Sequence, residues 1–596
     1  MERRTLLKSL ALTIPALYFK PALVLSASNV TAILRKLNIP LSTAGRLSFY
    51  VDYSERSTLG DHTFYVCRTH GTSGRVSVNY ATYGDSHNTA SGSFTWKDGE
   101  ADIKSFTTNV SSKVNGDHRI YALLSNPTGG AILHNGAKTI AYGVIDDGTI
   151  ASDADAVFYD SAAAIGGNGT QVSPYNSLTT AIANLGSKRY LYGKGTTTPS
   201  EAITISGTTG TTGINIPATR TSETTRLYIQ KWPGFTWTID GGVSTTIAGF
   251  YAESGQSYQT FKSISFINLN NSGNAHGFGI FYHYGNSTDI NIEYCTGDNI
   301  NGRAGNNNGS FMVWGVSGAK VWRCTSNNIQ TAGDNTNQNT AGVFYYSAEN
   351  ISVQRCEFSN SSNGVFAKRT EAGAVLVSCA FNVFKTDVGI RYGYASPAYE
   401  PNFGIAISNL FKKCPNSGIA HYGSSASQAG KNWICNNVFD NSGSGDVGAV
   451  YARDTYDIQI FNNIFYNCRK MWDVPETVAQ QSNTSKKQIE YADYNHDYGT
   501  TLTRYEYLSV YYNTSAALNA ASGFAANDSS GDPLFTNPTQ DNYTLKKGSP
   551  CLGTGVVGTD KGIYLTGIER LGPAGIGLVT SVNISVPVAP AFFTVS

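Results

Sequence analysis

The chain has 596 residues, with 43 Lys and Arg against 42 Asp and Glu, so its formal net charge is +1. Only 14% of the residues are charged, 12% are aromatic including 36 Tyr, and there are 62 Gly. That balance excludes a nucleic-acid binder, which needs a basic surplus for phosphate contacts, and a charge-rich coiled coil or disordered tail. The surface must instead be wetted by Asn, Ser, Thr, Gly and Tyr, which suits a secreted β-rich protein with many turns and polar partners such as glycans.

Residues 1–28 read as an export signal. Arg3, Arg4 and Lys8 precede an apolar run from Ser9 to Phe19, which Lys20 and Pro21 interrupt. The run is too short to cross roughly 30 Å of hydrocarbon as a helix, and no later apolar run is long enough. The order Arg3-Arg4-x-Leu6-Leu7-Lys8 resembles a twin-arginine signal, and Ser26, Ala27 and Ser28 offer a cleavage region. A Sec signal or an uncleaved anchor is the plainer alternative. The expected location is periplasmic, extracellular or on the cell surface.

Residues 46–148 form a first domain. Phe49–Arg68, Arg75–Tyr83 and His118–Leu124 alternate apolar and polar residues, as half-buried strands do. Turn clusters such as Thr72-Ser73-Gly74 and Pro127-Thr128-Gly129-Gly130 separate them. Short strands at this spacing predict a β-sandwich. The segments Val76-x-Val78-x-Tyr80-Ala81-Thr82, Gly92-x-Phe94-x-Trp96-x-x-Gly99-Glu100 and Val144-Ile145-Asp146-Asp147 resemble a Calx-β domain. Some members of that family bind calcium at one end of the sandwich, and the resemblance implies Glu55, Asp117, Asp146 and Asp147 as calcium ligands. The chain departs from the family at His118-Arg119-Ile120, where an acidic residue is usual, and after Thr82, where an Asp-Tyr pair is missing.

Residues 155–560 read as a solenoid. Asn176 to Leu185 fits one short amphipathic helix with Asn176 or Ser177 as N-cap. A helix there would plug the first coil, whose interior and strand edge are otherwise open. From about Phe261 to Val474 a unit of roughly two to three dozen residues repeats, within the solenoid range. One half carries strands such as Ile290-x-Ile292-x-x-Cys295 and Ile458-x-Ile460-x-Asn462-Asn463. The other half begins with Gly, as in Gly342-Val343-Phe344, Gly364-Val365-Phe366, Gly389-Ile390-Arg391, Gly418-Ile419-Ala420 and Gly448-Ala449-Val450. Such units bury their apolar faces only by stacking. The predicted fold class is all-β: an N-terminal sandwich followed by a right-handed parallel β-helix, with internal ladders of Val/Ile, Cys and Asn.

Cys295, Cys324, Cys356, Cys379 and Cys435 are read as one repeat position, filled by small apolar thiols. Asp532-Pro533-Leu534-Phe535 and Gly548-Ser549-Pro550-Cys551 resemble the closing segment of secreted β-helices, leaving residues 561–596 as a C-terminal cap or tail.

Side chains alternate along a strand. If the residue after each repeat Gly points in, Phe344, Tyr346, Phe366, Lys368, Arg391 and Tyr422 point out. Phe281 and His283 join them, as does Trp314 with a one-residue offset. This predicts an exposed aromatic stripe, which marks a binding site and suits sugar rings. Cover by loops or by a second subunit of a homo-oligomer is the competing expectation.

Lys368 and Arg391 lie about one coil apart. With Phe381-Asn382-x-Phe384 and Arg391-Tyr392-Gly393, the segment resembles β-helix polysaccharide lyases of the alginate lyase and chondroitinase B kind. The resemblance implies Lys368 as base and Arg391 as its partner in β-elimination on a uronic acid, with Tyr392 beside the substrate where the family has His. A cation that neutralises the uronate carboxylate lets the C5 proton leave. A hydrolase would instead need two carboxylates flanking the bond, for which Asp454, Asp457 and Asp473 are candidates. The rival to an enzyme is a non-catalytic adhesin or spike-like glycan binder.

Overall fold

The computed structural model describes residues 44–573 except 51–52, 57, 70–72, 101–102, 114–115, 134–138, 147, 204–210, 217–219, 243–245, 253–254, 272–276, 283–286, 303–306, 332–338, 347, 349, 370–376, 394–402, 423–430, 444–446, 454–457, 476–487, 501–503, 557–559 and 564–570. The export signal and most of the tail therefore lie outside the described residues.

Two sheets build the N-terminal sandwich. One runs Lys104–Val110, Gly60–Thr69, Arg46–Phe49, Ile132–Leu133; the other Tyr53–Arg56, Thr139–Ile145, His118–Ser125, Val76–Gly84, Ser91–Trp96. Leu47, Phe64, Val66, Val76, Val78, Trp96, Ile120 and Leu124 fill the space between them. The single strand expected over Phe49–Arg68 is three strands, and the chain changes sheets between them. Among the breaks is Gly60 at φ +142°, a conformation L side chains rarely adopt.

The solenoid follows as a right-handed parallel β-helix with three strands per coil. Two of its faces join in a 24-stranded sheet; the third face is a 13-stranded sheet. Helix Leu178–Ala183 starts at Ser177, whose hydroxyl accepts from Thr180 N. Leu178, Ala181, Ile182 and Leu185 plug the first coil by joining the solenoid core.

Stacking turns each repeat position into a file of like side chains. Phe358, Phe384, Phe411, Phe439 and Phe465 stack along the interior with ring centroids 4.8–5.3 Å apart. This file explains the glycine near the start of four successive strands of the third sheet. A Cβ on Gly342, Gly364, Gly389 or Gly418 would lie 2.2–2.5 Å from the Cδ1 of a file Phe, inside van der Waals contact.

A second file closes the turn between the first two faces. There a residue with φ of +51° to +61°, such as Phe381, Ser408, Asn436 or Asn462, is followed by Asn382, Asn409, Asn437, Asn463 or Asn495. Each Oδ1 from Asn409 to Asn495 accepts from the backbone N–H and the side-chain amide of the Asn one coil back, at 2.9–3.2 Å. Each amide also donates to a carbonyl, as Asn437 does to Ala406 O at 2.9 Å. The ladder ends where Asp528 accepts from Asn495 N.

Cys295, Cys324 and Cys356 hold the same position in earlier coils. Their thiols likewise donate to carbonyls of the preceding coil, at 3.4–3.6 Å. Cys379 and Cys435 do not belong to this file, contrary to the sequence reading. Cys379 pairs with Val353, inside the first face, and Cys435 pairs with Ile407 and Phe461 in a separate cluster. Both lie within their strands, ahead of the turn. All nine cysteines are buried.

Removing the Asn437 amide strands donors of Asn409 in the dry interior. Each buried group left unsatisfied costs roughly 1–3 kcal/mol, so Asn437→Ala should cost at least about 2 kcal/mol in urea denaturation. An unchanged midpoint would show that the ladder carries no stability.

Candidate functional site

The outer face of the third sheet places most of the sequence-chosen residues. In-register pairing aligns one outward file: Tyr251, Phe281, Met312, Phe344, Phe366, Arg391, Ala420, Tyr451, Asp473, Glu506. Its chemistry changes along the axis, from apolar through basic to acidic.

The apolar part is not the exposed stripe expected. Phe281, Phe344 and Phe366 are at most 2% exposed and form one cluster with Tyr251, Phe278 and Met312. The long basic side chains help to cover it. Lys368 Nζ lies 5.8 Å from the centre of the Phe344 ring, and the Arg391 guanidinium 5.1 Å from Phe366. Trp314 and Tyr346 remain half-buried with their rings 4.5 Å apart. Because a single chain buries these rings, they no longer argue for a second subunit. His283 lies outside the described residues.

Arg391 faces outward. It is held between two rings, with Tyr422 at 4.6 Å on its other side. Desolvation lowers its pKa, though an arginine stays charged at neutral pH. Lys368 sits in a β-bulge: Tyr345 pairs with Ala367 and Tyr346 with Arg369, leaving Lys368 as the extra residue. Its ammonium donates to Asn307 Oδ1 and Asn339 Oδ1, both at 3.0 Å. Arg391 pairs with Phe366, so it is diagonal to Lys368, on the neighbouring strand. Tyr392 is displaced from the expected site. It alternates with Arg391 and points into the core, 1% exposed, beside the equally buried His421. Desolvation pushes His421 down to about 3, which keeps it neutral.

Sequence reasoning missed Tyr451 and Arg453: counted from Gly448 the alternation turns Tyr451 inward, whereas Ile419 pairs with Val450 and Ala420 with Tyr451, one residue out of that count. The Tyr451 ring lies tilted against Tyr422 with centroids 5.3 Å apart, and Arg453 is exposed on the same strand. It also missed Lys470 and Glu506. Lys470 donates to Asp473 at 3.1 Å and to Glu506 at 2.9 Å, which keeps those oxygens within about 6 Å of each other. Burial first, then the charge of Glu506, pushes Asp473 up to about 7 against the pull of Lys470. All three side chains are under 10% exposed. A sugar cannot reach this pair as it stands, which disfavours a hydrolase site there. Asp454 and Asp457 lie outside the described residues.

The expected calcium ligands meet a different cation. Lys262, from the solenoid, places Nζ 2.7 Å from Asp117 and 2.8 Å from Asp146 of the sandwich. Arg119 adds a bidentate pair to Glu293, at 2.8 Å twice, and a contact to Asp117. Burial alone would raise the pKa of Asp117, but Lys262 and Arg119 outweigh it and hold the carboxyl below its usual range. Calcium needs six to eight oxygens, and these two carboxylates already hold an ammonium, so they do not fit it. Asp147 and the side chain of Glu55 lie outside the description. The basic residue at 119, where the Calx-β pattern has an acid, now has a role: it joins the sandwich to the solenoid.

No family model matches the chain, and no curated protein does. Among solved structures it is similar to pectate lyase Pel9A, at 12% identity over 70% of this chain and 97% of that one, with a TM-score of 0.39. It is similar to the Yersinia enterocolitica family 28 exopolygalacturonase at 8% identity, over 77% and 96% of the two chains, with a TM-score of 0.35. The apo Calx CBD1 domain is 23% identical over 17% of this chain and 94% of its own, with a TM-score of 0.15. At these levels the likenesses carry no argument about activity. No helix among the described residues is long and apolar enough to cross a membrane.

Removing one partner of a buried ion pair costs roughly 3–5 kcal/mol. Lys262→Met should therefore melt well below the parent, while calcium chloride leaves the melting temperature of the parent unchanged. A calcium-dependent rise in the parent that Asp146→Asn abolishes would overturn the assignment.

An acid whose folded-state pKa lies above its unfolded value, about 4, weakens the fold as pH rises between the two. Asp473→Asn lacks that titration. Its stability relative to the parent should climb from pH 4 to 7 and level off above. A flat difference would mean that Asp473 titrates normally.

Proposed function

We propose that the chain is an exported protein that binds an acidic polysaccharide along the outer face of the third sheet and cleaves it by β-elimination. The observation that carries the reading is Arg391, a cation held outward between two aromatic rings. It offers a charge to a uronate carboxylate, and the half-buried Tyr422 beside it offers a ring to the sugar. Lys368 lies diagonally beside it, while Tyr422, Tyr451 and Arg453 extend the same character towards the C-terminal coils. Neutralising the carboxylate acidifies the C5 proton, which Lys368 would remove.

The two amide oxygens on Lys368 favour the alternative of a non-catalytic glycan binder. Hydrogen bonds to the charged form stabilise it, and an ammonium cannot act as a base. Elimination therefore requires the substrate to displace Asn307 and Asn339.

The two readings separate in one experiment. The parent is incubated with alginate, pectate and chondroitin, and the absorbance of the unsaturated product is followed beside retention in affinity electrophoresis. A lyase gives product, and Arg391→Ala lowers kcat/KM by about a hundredfold, the scale of losing one transition-state charge contact. Retention without product, weakened by Arg391→Ala, supports the binder. Neither product nor retention on any acidic glycan would remove both.

A further inference from the structure

A second cleft lies at the opposite end of the strand that carries Arg391, where the second sheet turns into the third. Its volume is about 400 Å³, within the usual range for ligand sites. It crosses four successive coils: Gln330 comes from the first, Asn360 from the second, Lys385 and Asp387 from the third and Lys413 from the fourth. At about 4.8 Å per coil, this is room for a short oligosaccharide.

Asp387 is the unusual group. Its backbone is fixed on both sides, donating to Ser361 O at 3.1 Å and accepting from Asn416 N and Ser417 N at 3.0 and 3.2 Å. Its half-buried carboxylate makes no hydrogen bond or ion pair among the described residues, and burial alone raises its pKa. Nearby, Lys385 pairs with Glu357 at 2.9 Å and Asp541 at 3.0 Å, and the Lys413 ammonium lines the same cleft. Gln330 and Asn360 each spend one amide N–H, on Asn328 and Asn327, at 2.6 and 2.7 Å. Each keeps an amide oxygen without a hydrogen bond among the described residues.

The cleft thus presents free acceptors beside the Lys413 ammonium, so its ligand must bring both donors and acceptors, as sugar hydroxyls do. Lys385 and Lys413 disfavour a metal ion, and the Asp387 carboxylate balances the Lys413 charge, which leaves no net charge to select a uronate. We propose that this cleft binds a neutral oligosaccharide, with Asp387 accepting from a pair of sugar hydroxyls and Asn360 and Gln330 accepting from others. Carboxylate–hydroxyl bonds are charge-assisted and stronger than neutral ones. The site stands independently of the acidic-polysaccharide reading.

The test is calorimetric titration of the full chain with maltohexaose, cellohexaose, xylohexaose and mannohexaose, and in parallel with hexagalacturonate. At least one neutral oligomer should bind, and Asp387→Ala, with an unchanged melting temperature, should weaken it at least tenfold. Asn360→Ala should weaken it several-fold and decides the matter if Asp387→Ala fails to fold. Binding of no neutral oligomer, or binding that neither variant alters, overturns the proposal. Neutral binding with neither retention nor product on any acidic glycan would sink the reading of the Arg391 face and leave this cleft standing; the reverse would sink the cleft alone.

Discussion

Coil-on-coil registry is the constraint on which the solenoid depends. Parallel strands stack at about 4.8 Å, so every buried group meets its counterpart in the next coil. An amide in the dry turn survives only because the next amide accepts from it, as along Asn382 to Asn495 and on to Asp528. The interior Phe file exists on the same terms. Its rings stack because each coil repeats the last, and at four successive coils the facing residue is Gly.

Registry also writes the outer face. One residue per coil enters the outward file, so a change in one repeat changes the chemistry at one level of the axis. The apolar level can bury itself under its neighbours' long side chains. At the basic level Arg391 stays outward because Phe366 and Tyr422 hold it on both sides. The acidic level closes on Lys470. Only the middle of the file keeps both charge and access, and the glycan reading rests there.

The sandwich meets the solenoid through charge. Arg119, Asp117, Lys262 and Glu293 are nearly dry. Each carboxylate in the set has a cationic partner, and the pair geometry is close. A buried set of this kind adds little stability compared with apolar packing, but breaking it is costly. It therefore specifies how the two parts meet more than how strongly they fold. The acidic end of the sandwich has an internal counter-ion, so the Calx-β resemblance does not bring calcium to Asp117 and Asp146.

The sequence by itself determined what repeats. Glycine-led strands, the Asn ladder, the file of Cys295, Cys324 and Cys356, the plug helix and the outward setting of Arg391 follow from periodicity, because a solenoid is built from local pattern. Tertiary structure alone decided what lies above each position. Tyr392 follows Arg391 in the chain and faces the core. Phe344 alternates as expected and is still buried. Lys368 was placed on the right strand, yet a bulge and two asparagines from earlier coils set its environment. Asp117 and Asp146 owe their cation to Lys262, more than a hundred residues away. Alternation tells which way a side chain points; what it meets there is set by residues that no local pattern connects.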